Sequence, residues 1–381
     1  MFDPKIWAQV PFQFWTLCFF VFGCVAGSFL NVCIYRMPRD ESIVRPPSHC
    51  PHCGYTIPWY LNIPLLTWCW LRGRCANCAA PISVRYFLVE LLTGVVFATC
   101  WIRFGHLHPA VAIVFCVMIG GLIAATFIDF EHFIIPDEIT FGGMAVGFCA
   151  SFLVPASHLS LPFFRPMTAA NLAMLDSAIG MAVGATIVYG ILRLGKLLFG
   201  RYKGILPPAT RIIFTETAVQ LPGQEIAFEE LFYRSGDVIK LQAITVELID
   251  RSYANVAVRL QPSRLQIGDD TFDPEKILHM EAVTDQVVLP REAMGLGDVK
   301  FMAAIGAFLG WPGVFFSLAI SAVIGSIVGI ALILVNKRSW SSRMPYGPYI
   351  AAAAVIWIFD GQSFVQTFFG LFDSLHSHLM R

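Results

Sequence analysis

The sequence predicts a polytopic α-helical membrane protein of about eight transmembrane helices, with a cytoplasmic zinc loop and a β-rich cytoplasmic insert. Three observations carry that expectation. The 381-residue chain is 56% hydrophobic and only 14% charged, with a mean hydropathy of +0.66, which is the composition of a chain that meets lipid. Apolar runs of spanning length recur at 11–35, 86–104, 110–129, 138–155, 173–194, 298–311, 314–335 and 346–360. Two polar stretches, 36–84 and 200–290, interrupt them and read as material outside the bilayer.

The distribution of basic residues gives the orientation. Arg36, Arg39, Arg45, Arg72, Arg74 and Arg85 crowd the first polar stretch, Arg193, Lys196, Arg201 and Lys203 flank the second, and Lys337, Arg338 and Arg343 form a third group. The other side carries scattered charges such as Lys5, Arg103 and Arg165. Basic loops face the cytoplasm, so both termini are expected outside it. The organisation that follows is a first helix (1–35), a cytoplasmic zinc loop with four cysteines (36–84), helices two to five (85–199), the insert (200–290) and helices six to eight with a C-terminal tail (291–381).

The first run starts with Asp3 beside Lys5 rather than a basic cluster, and ends in "GSFLNVCIYRMPR". That is a stop-transfer pattern, so an uncleaved first span is expected. The loop after it holds "CPHC" and "CANC", with Cys50, Cys53, Cys75 and Cys78 in two pairs separated by 21 residues. Each pair can chelate from one tight turn, and four sulfurs complete a tetrahedron, so a structural zinc ion is expected. A reducing cytoplasmic loop argues against two disulfides. The remaining cysteines, such as Cys18, Cys33 and Cys116, lie mostly in apolar runs and act there as small hydrophobes.

Two acidic residues sit at span ends, where a functional role is the default reading of an ionisable group. Asp129 closes "GGLIAATFIDF", and Asp298 opens "GLGDVKFMAAIGAFLGW" behind Gly295 and Gly297. An eight-helix path brings both to the cytoplasmic face. Lys300 is expected either to offset their charge or to reach toward headgroups. Asp137, Glu138, Glu131 and His132 read as solvated loop residues. Between the two aspartates, 200–290 alternates β-branched runs such as "DVIKLQAITVELID" with turn signals such as "LPGQ" and "IGDD". This predicts a small β-rich domain, too mixed in charge for nucleic acid.

Taken as an ordered set, "GSFLNVCIYRMPR", "LRGRCANCAAPISVRYFLVELLTG", "FIDFEHFIIPDEIT", "AMGLGDVKFMAAIGAFLGW" and "MPYGPYIAAAA" resemble the type IV prepilin peptidases. These are bifunctional leader peptidases and N-methyltransferases of pilus and type II secretion systems. The resemblance implies a bacterial inner-membrane enzyme with Asp129 and Asp298 as its catalytic pair. It also implies a prepilin or pseudopilin substrate, with a basic leader followed by an apolar helix, and S-adenosylmethionine as methyl donor. The family associates the first loop and its flanks with methyl transfer. Gly94 falls there, with Glu90 and Asn31 as nearby polar residues in apolar runs that could orient the donor or the amine. The β-rich insert departs from the usual short approach to the Gly-x-Gly-Asp segment. A peptidase without methyl transfer, a membrane transporter and a non-enzymatic scaffold are the competing readings. A transporter would place its acids near the midplane in repeated halves, and a scaffold leaves the aspartates unexplained.

Overall fold

The computed structural model describes residues 11–105, 108–158, 168–199, 201–215, 217–221, 224–232, 237–248, 250–277, 279–290, 295–335 and 344–379. It divides into two units, one formed by Met1–Tyr189 with Leu296–Arg381, the other by Gly190–Gly295.

Lipid offers no partner for a backbone N–H or C=O, so the apolar runs satisfy theirs internally as helices. The long helices are α1 (Phe12–Arg36), α2 (Val84–Cys100, continued by a π-helical turn at Trp101–Gly105), α3 (Pro109–His132), α4 (Asp137–Leu153), α5 (Ala169–Phe199), α6 (Leu296–Leu334) and α7 (Gly347–Leu379). Among the described residues, five stretches are long and apolar enough to cross a membrane: Phe12–Arg39, Val84–Gly105, Pro109–His132, Ala169–Gly195 and Leu296–Leu334. The 17-residue α4 and the apolar part of α7, Gly347–Gly361, are shorter. The sixth and seventh expected spans form one stretch here, interrupted at Gly310.

That interruption has a local cause. Gly310 has φ 67° and ψ −179°, outside helical space, and a Cβ there would lie 2.2 Å from Asp176 Oδ2 on α5. Pro312 follows two residues later, in the first turn of the restarted helix, where a missing N–H costs least. Asp176 also meets His158 Nδ1 at 3.1 Å, and both side chains are buried.

Small residues set the helix spacing. Gly23 and Gly27 of α1 lie against Gly94 and Glu90 of α2, so closely that a Cβ on Gly23 would reach 2.8 Å from the Gly94 Cα. Gly143 and Gly147 of α4 meet Ala304 and Ala307 of α6. Gly180 and Gly184 of α5 meet Gly306 and Met302 of α6, where Ser177 Oγ also donates to Ala307 O at 2.8 Å. Each is a small-xxx-small pair, which lets backbones approach where lipid provides no hydrophobic drive.

The second unit is an eight-stranded antiparallel sheet in the order β3-β2-β1-β8-β4-β5-β6-β7. Its strands are β1 (Arg201–Thr215), β2 (Ala218–Leu221), β3 (Gln224–Ala227), β4 (Ile239–Leu248), β5 (Ser252–Gln261), β6 (Arg264–Ile267), β7 (Asp270–Phe272) and β8 (His279–Pro290). One face buries Ile212, Phe214, Ile239, Val258, Leu265 and Met280 among others, so the unit has a core of its own. The first and last strands are neighbours, paired from Arg201↔Pro290 to Thr215↔His279.

Candidate active site

Asp129 lies in the last turn of α3. The helix ends at Phe133, which takes a left-handed conformation (φ 55°) and donates its N–H to Asp129 O. Pro136 then starts α4, with Asp137 and Glu138 in its first turn, where carboxylates suit the helix N-terminus. Asp298 stands in the first turn of α6 for the same reason. The two carboxylates, 169 positions apart in the chain, interact electrostatically. They are 6% and 9% exposed.

A third segment completes the site. The N–H of Gly347, at the start of α7, donates to Asp129 Oδ2 at 2.9 Å. A Cβ on Gly347 would lie 2.7 Å from that same oxygen, so any side chain here would displace the carboxylate from this donor. Tyr346 lies close enough to feel the charge of Asp298, and its hydroxyl meets Ser321 Oγ at 2.9 Å. Ile135 packs beside both Gly347 and Gly297. Two buried carboxylates, one oriented by a backbone donor, can exchange protons with a water and a carbonyl between them.

Neighbouring charges form pairs of their own. Lys300 Nζ binds Asp137 Oδ1 at 2.6 Å and sits over the Phe141 ring, so its ion-pair partner is Asp137. Asp137 is correspondingly an ion-pair partner rather than a freely solvated acid. Glu131 is held by the guanidinium of Arg85. His132 Nε2 is buried with no hydrogen-bond partner among the described residues.

The four cysteines converge outside the helices, in two turns built alike. Cys50 N–H donates to Tyr55 O and Gly54 N–H to Cys50 O; Cys75 N–H donates to Ala80 O and Ala79 N–H to Cys75 O. Gly54 and Ala79 both take positive φ, 68° and 57°, at the equivalent position. All four Sγ atoms lie within 4.8 Å of one another, an arrangement that could hold a metal ion. Cys50 Sγ and Cys78 Sγ are 3.8 Å apart. A tetrahedral zinc with bonds of ~2.3 Å sets its sulfurs about 3.8 Å apart, whereas a disulfide holds them at ~2.05 Å. Backbone donation from Tyr55 and then the Asn77 amide hold the Cys53 thiol down, at about 6. The Ala80 N–H pulls Cys78 the same way, but sharing with Cys53 and Cys75 pushes it up to about 12. Four clustered thiols without a cation divide their protons rather than all ionising.

The three residues expected near methyl transfer lie in the α1–α2 seam. Gly94 is filled by α1: a Cβ would stand 2.5 Å from Cys24 Sγ and 3.1 Å from Phe20. Its backbone packs directly against α1. Glu90 Oε2 accepts the N–H of Leu65, a non-glycine residue at φ 61° in the cysteine loop, so this carboxylate tethers the loop to α2. Asn31 donates to Tyr86 O at 3.0 Å, while its Oδ1 is buried without a hydrogen-bond partner among the described residues. Asn31 Oδ1 is thus a buried acceptor available to an N–H.

Gly347 is a site residue that sequence reasoning misses. Its signal is the "MPYGPY" segment itself, a Pro-flanked glycine where a helix starts, which places a free N–H at that point.

Comparison with known proteins agrees with this layout. Residues 21–104 match the Bacterial Peptidase A24 N-terminal domain, and residues 277–330 match the Type IV leader peptidase family. The chain is 46% identical over 165 residues to a prepilin leader peptidase/N-methyltransferase of Myxococcus xanthus, covering 43% of this chain and 44% of that protein. It is 34% identical over 213 residues to the protein so named in Dichelobacter nodosus, covering 48% and 68%. With the one in Aeromonas hydrophila it shares 26% identity over 385 residues, covering 94% of each. No solved structure shows significant similarity to the chain.

Proposed function

The chain belongs to the type IV leader peptidase family, and from that premise we propose that it cleaves the leader of type IV prepilins or pseudopilins and methylates the new N-terminus. The observation that carries the reading is the meeting of buried Asp129 and Asp298 from distant segments, with the Gly347 N–H on Asp129.

Two carboxylates held this close do not both ionise freely and so share a proton. The ionised one takes a proton from water as the oxygen attacks the scissile carbonyl. The protonated one hydrogen-bonds that carbonyl oxygen and supports the tetrahedral intermediate. Collapse breaks the C–N bond, and the proton taken from water passes to the departing amine. Gly347 keeps one Asp129 oxygen aimed, which preserves the geometry such a step needs.

The site lies at the cytoplasmic face of the bacterial inner membrane in this reading, because the arginine-rich loop 36–85 adjoins the same end. The eight-span path requires α6 to cross as two segments divided at Gly310, and α4 and the apolar part of α7 to span as well. Zinc is the metal that the four-cysteine cluster suits best. With four thiolate ligands it keeps no open position, so its role is to fold the loop. S-adenosylmethionine would supply an electrophilic methyl group to the new primary amine. Asn31 Oδ1 is the acceptor we assign to an N–H in that half-reaction, with Glu90 holding the loop over it and Gly94 holding α1 against α2.

The test is direct. Purified protein in detergent is incubated with a prepilin and S-adenosylmethionine, and the product N-terminus is read by mass spectrometry. A mature chain with a monomethylated N-terminus is expected. An unmethylated mature chain would leave a peptidase alone, and an uncut prepilin would refute the reading.

A further inference from the structure

An apolar groove of about 210 Å³ runs between α1, α3, α4 and α6, of which α3 and α6 carry the two aspartates. On α3 it reaches Ala124, about a turn and a half before Asp129, and on α6 it starts at Phe301, one turn after Asp298. Gly121, Gly142 and Gly143 are among its lining residues. A Cβ built at Gly121 or Gly142 would meet nothing within 4 Å, unlike the seam glycines, which are filled by a neighbouring helix. Gly142 and Val146 are exposed, so the groove is open on its α4 side.

One charge stands at its mouth. Glu138 lines the groove in the first turn of α4. Its acidic neighbours are neutralised within the protein, Asp137 by Lys300 and Glu131 by Arg85. Glu138 is exposed and has no ion-pair partner among the described residues. From Glu138 to Val146 the groove follows α4 for about 12 Å, two turns of helix.

We infer that this groove is the docking site for the apolar helix of the substrate, with Glu138 pairing a cation at the point where that helix begins. The inference rests on the peptidase reading and adds to it how the cleavage point is set. An apolar segment seated on Gly121 and Gly142 is fixed along its axis, and a positive residue held by Glu138 fixes where it enters. The bond at the boundary then lies beside Asp129 and Asp298.

Binding tests this independently of cleavage. Dye-labelled full-length prepilin is titrated in detergent against the Asp129→Asn protein, which carries the groove intact. Gly142→Leu, which fills open space rather than a packed seam, should weaken Kd by about tenfold or more, the scale of a lost apolar pocket contact. Gly190→Leu, at another glycine with open space around it, should leave Kd unchanged. Glu138→Lys should weaken binding too, and a prepilin whose leader cation is reversed to Glu should restore it. Unchanged Kd in both Gly142→Leu and Glu138→Lys would overturn the inference. So would equal weakening by Gly190→Leu. If Gly142→Leu instead altered only melting temperature and bound lipid, the groove would belong to lipid and the inference would fall. Tight binding lost on groove filling, in a wild-type protein that leaves prepilin uncut, would sink the proposed reaction while keeping the groove.

Discussion

At Gly347 a single hydrogen atom in place of a methyl group decides whether the Asp129 carboxylate can hold its position. Alanine there would bring a Cβ to 2.7 Å from Asp129 Oδ2, and the carboxylate must turn away from the Gly347 N–H. We expect Gly347→Ala to lower the turnover of prepilin by about 10²-fold, the cost of a misplacement near 1 Å, with the protein still in the membrane fraction. Near wild-type turnover would mean that the donor does not orient the pair. Lys300 gives the opposite expectation. Its partner is Asp137, and such a part-exposed pair is worth roughly 0–1 kcal/mol, so Lys300→Met should change turnover by no more than a few-fold. A loss as large as that of Gly347→Ala would show that the lysine acts on the aspartates after all.

Among the elements, the cysteine loop and the α1–α2 seam make the sharpest claims. Four ligands from two turns bind one ion cooperatively, so replacing any one of Cys50, Cys53, Cys75 or Cys78 by Ser should lower bound zinc and expose residues 40–84 to protease. Metal analysis under reducing, chelator-free conditions checks it, and a zinc-free wild-type protein or Cys50–Cys53 and Cys75–Cys78 disulfides would contradict it. Methylation should suffer more than cleavage, since the aspartates lie on α3 and α6. In the seam, Gly94→Ala should disturb methylation more than cleavage, through overpacking that costs about 1–3 kcal/mol. Removing the obstructing sulfur with Cys24→Ala should restore part of the loss if Gly94 is a packing residue. A double variant no better than the single would return Gly94 to a role in ligand contact. These elements differ in how far the sequence revealed them. The CxxC pairs were legible because both chelating turns are local, and the helices because lipid demands long apolar runs. The break at Gly310 was legible as the boundary between the runs 298–311 and 314–335, but the close approach of Asp176 from α5 was not. Nor were the pairs Lys300–Asp137 and Arg85–Glu131, whose partners lie 163 and 46 residues apart.

On the scale of the whole molecule, the sheet unit has its own core and a closed entry. Because β1 and β8 pair at Arg201↔Pro290 and Gly204↔Val287, the chain leaves and returns at neighbouring strands, within ~5 Å. Replacing 205–288 by a short flexible linker should therefore leave a membrane protein that still cleaves prepilin. A stable but inactive deletion would give the sheet a part in substrate capture or in shaping the site. The β-rich character of this region was legible from its β-branched runs and turns, while the strand order, with the last strand beside the first, follows only from long-range pairing. The meeting of Asp129 with Asp298 is likewise a property of the fold, and the sequence suggested it through two span ends and a family resemblance. The account stands on that meeting. The measurement that tests it most directly is prepilin cleavage by purified Asp129→Asn and Asp298→Asn proteins, with the substrate N-terminus read by mass spectrometry. The account predicts that each variant is folded in the membrane and cleaves at least about 10²–10⁴-fold more slowly than wild type, the range for removing a positioned acid or base. Cleavage by either variant at near the wild-type rate would contradict it.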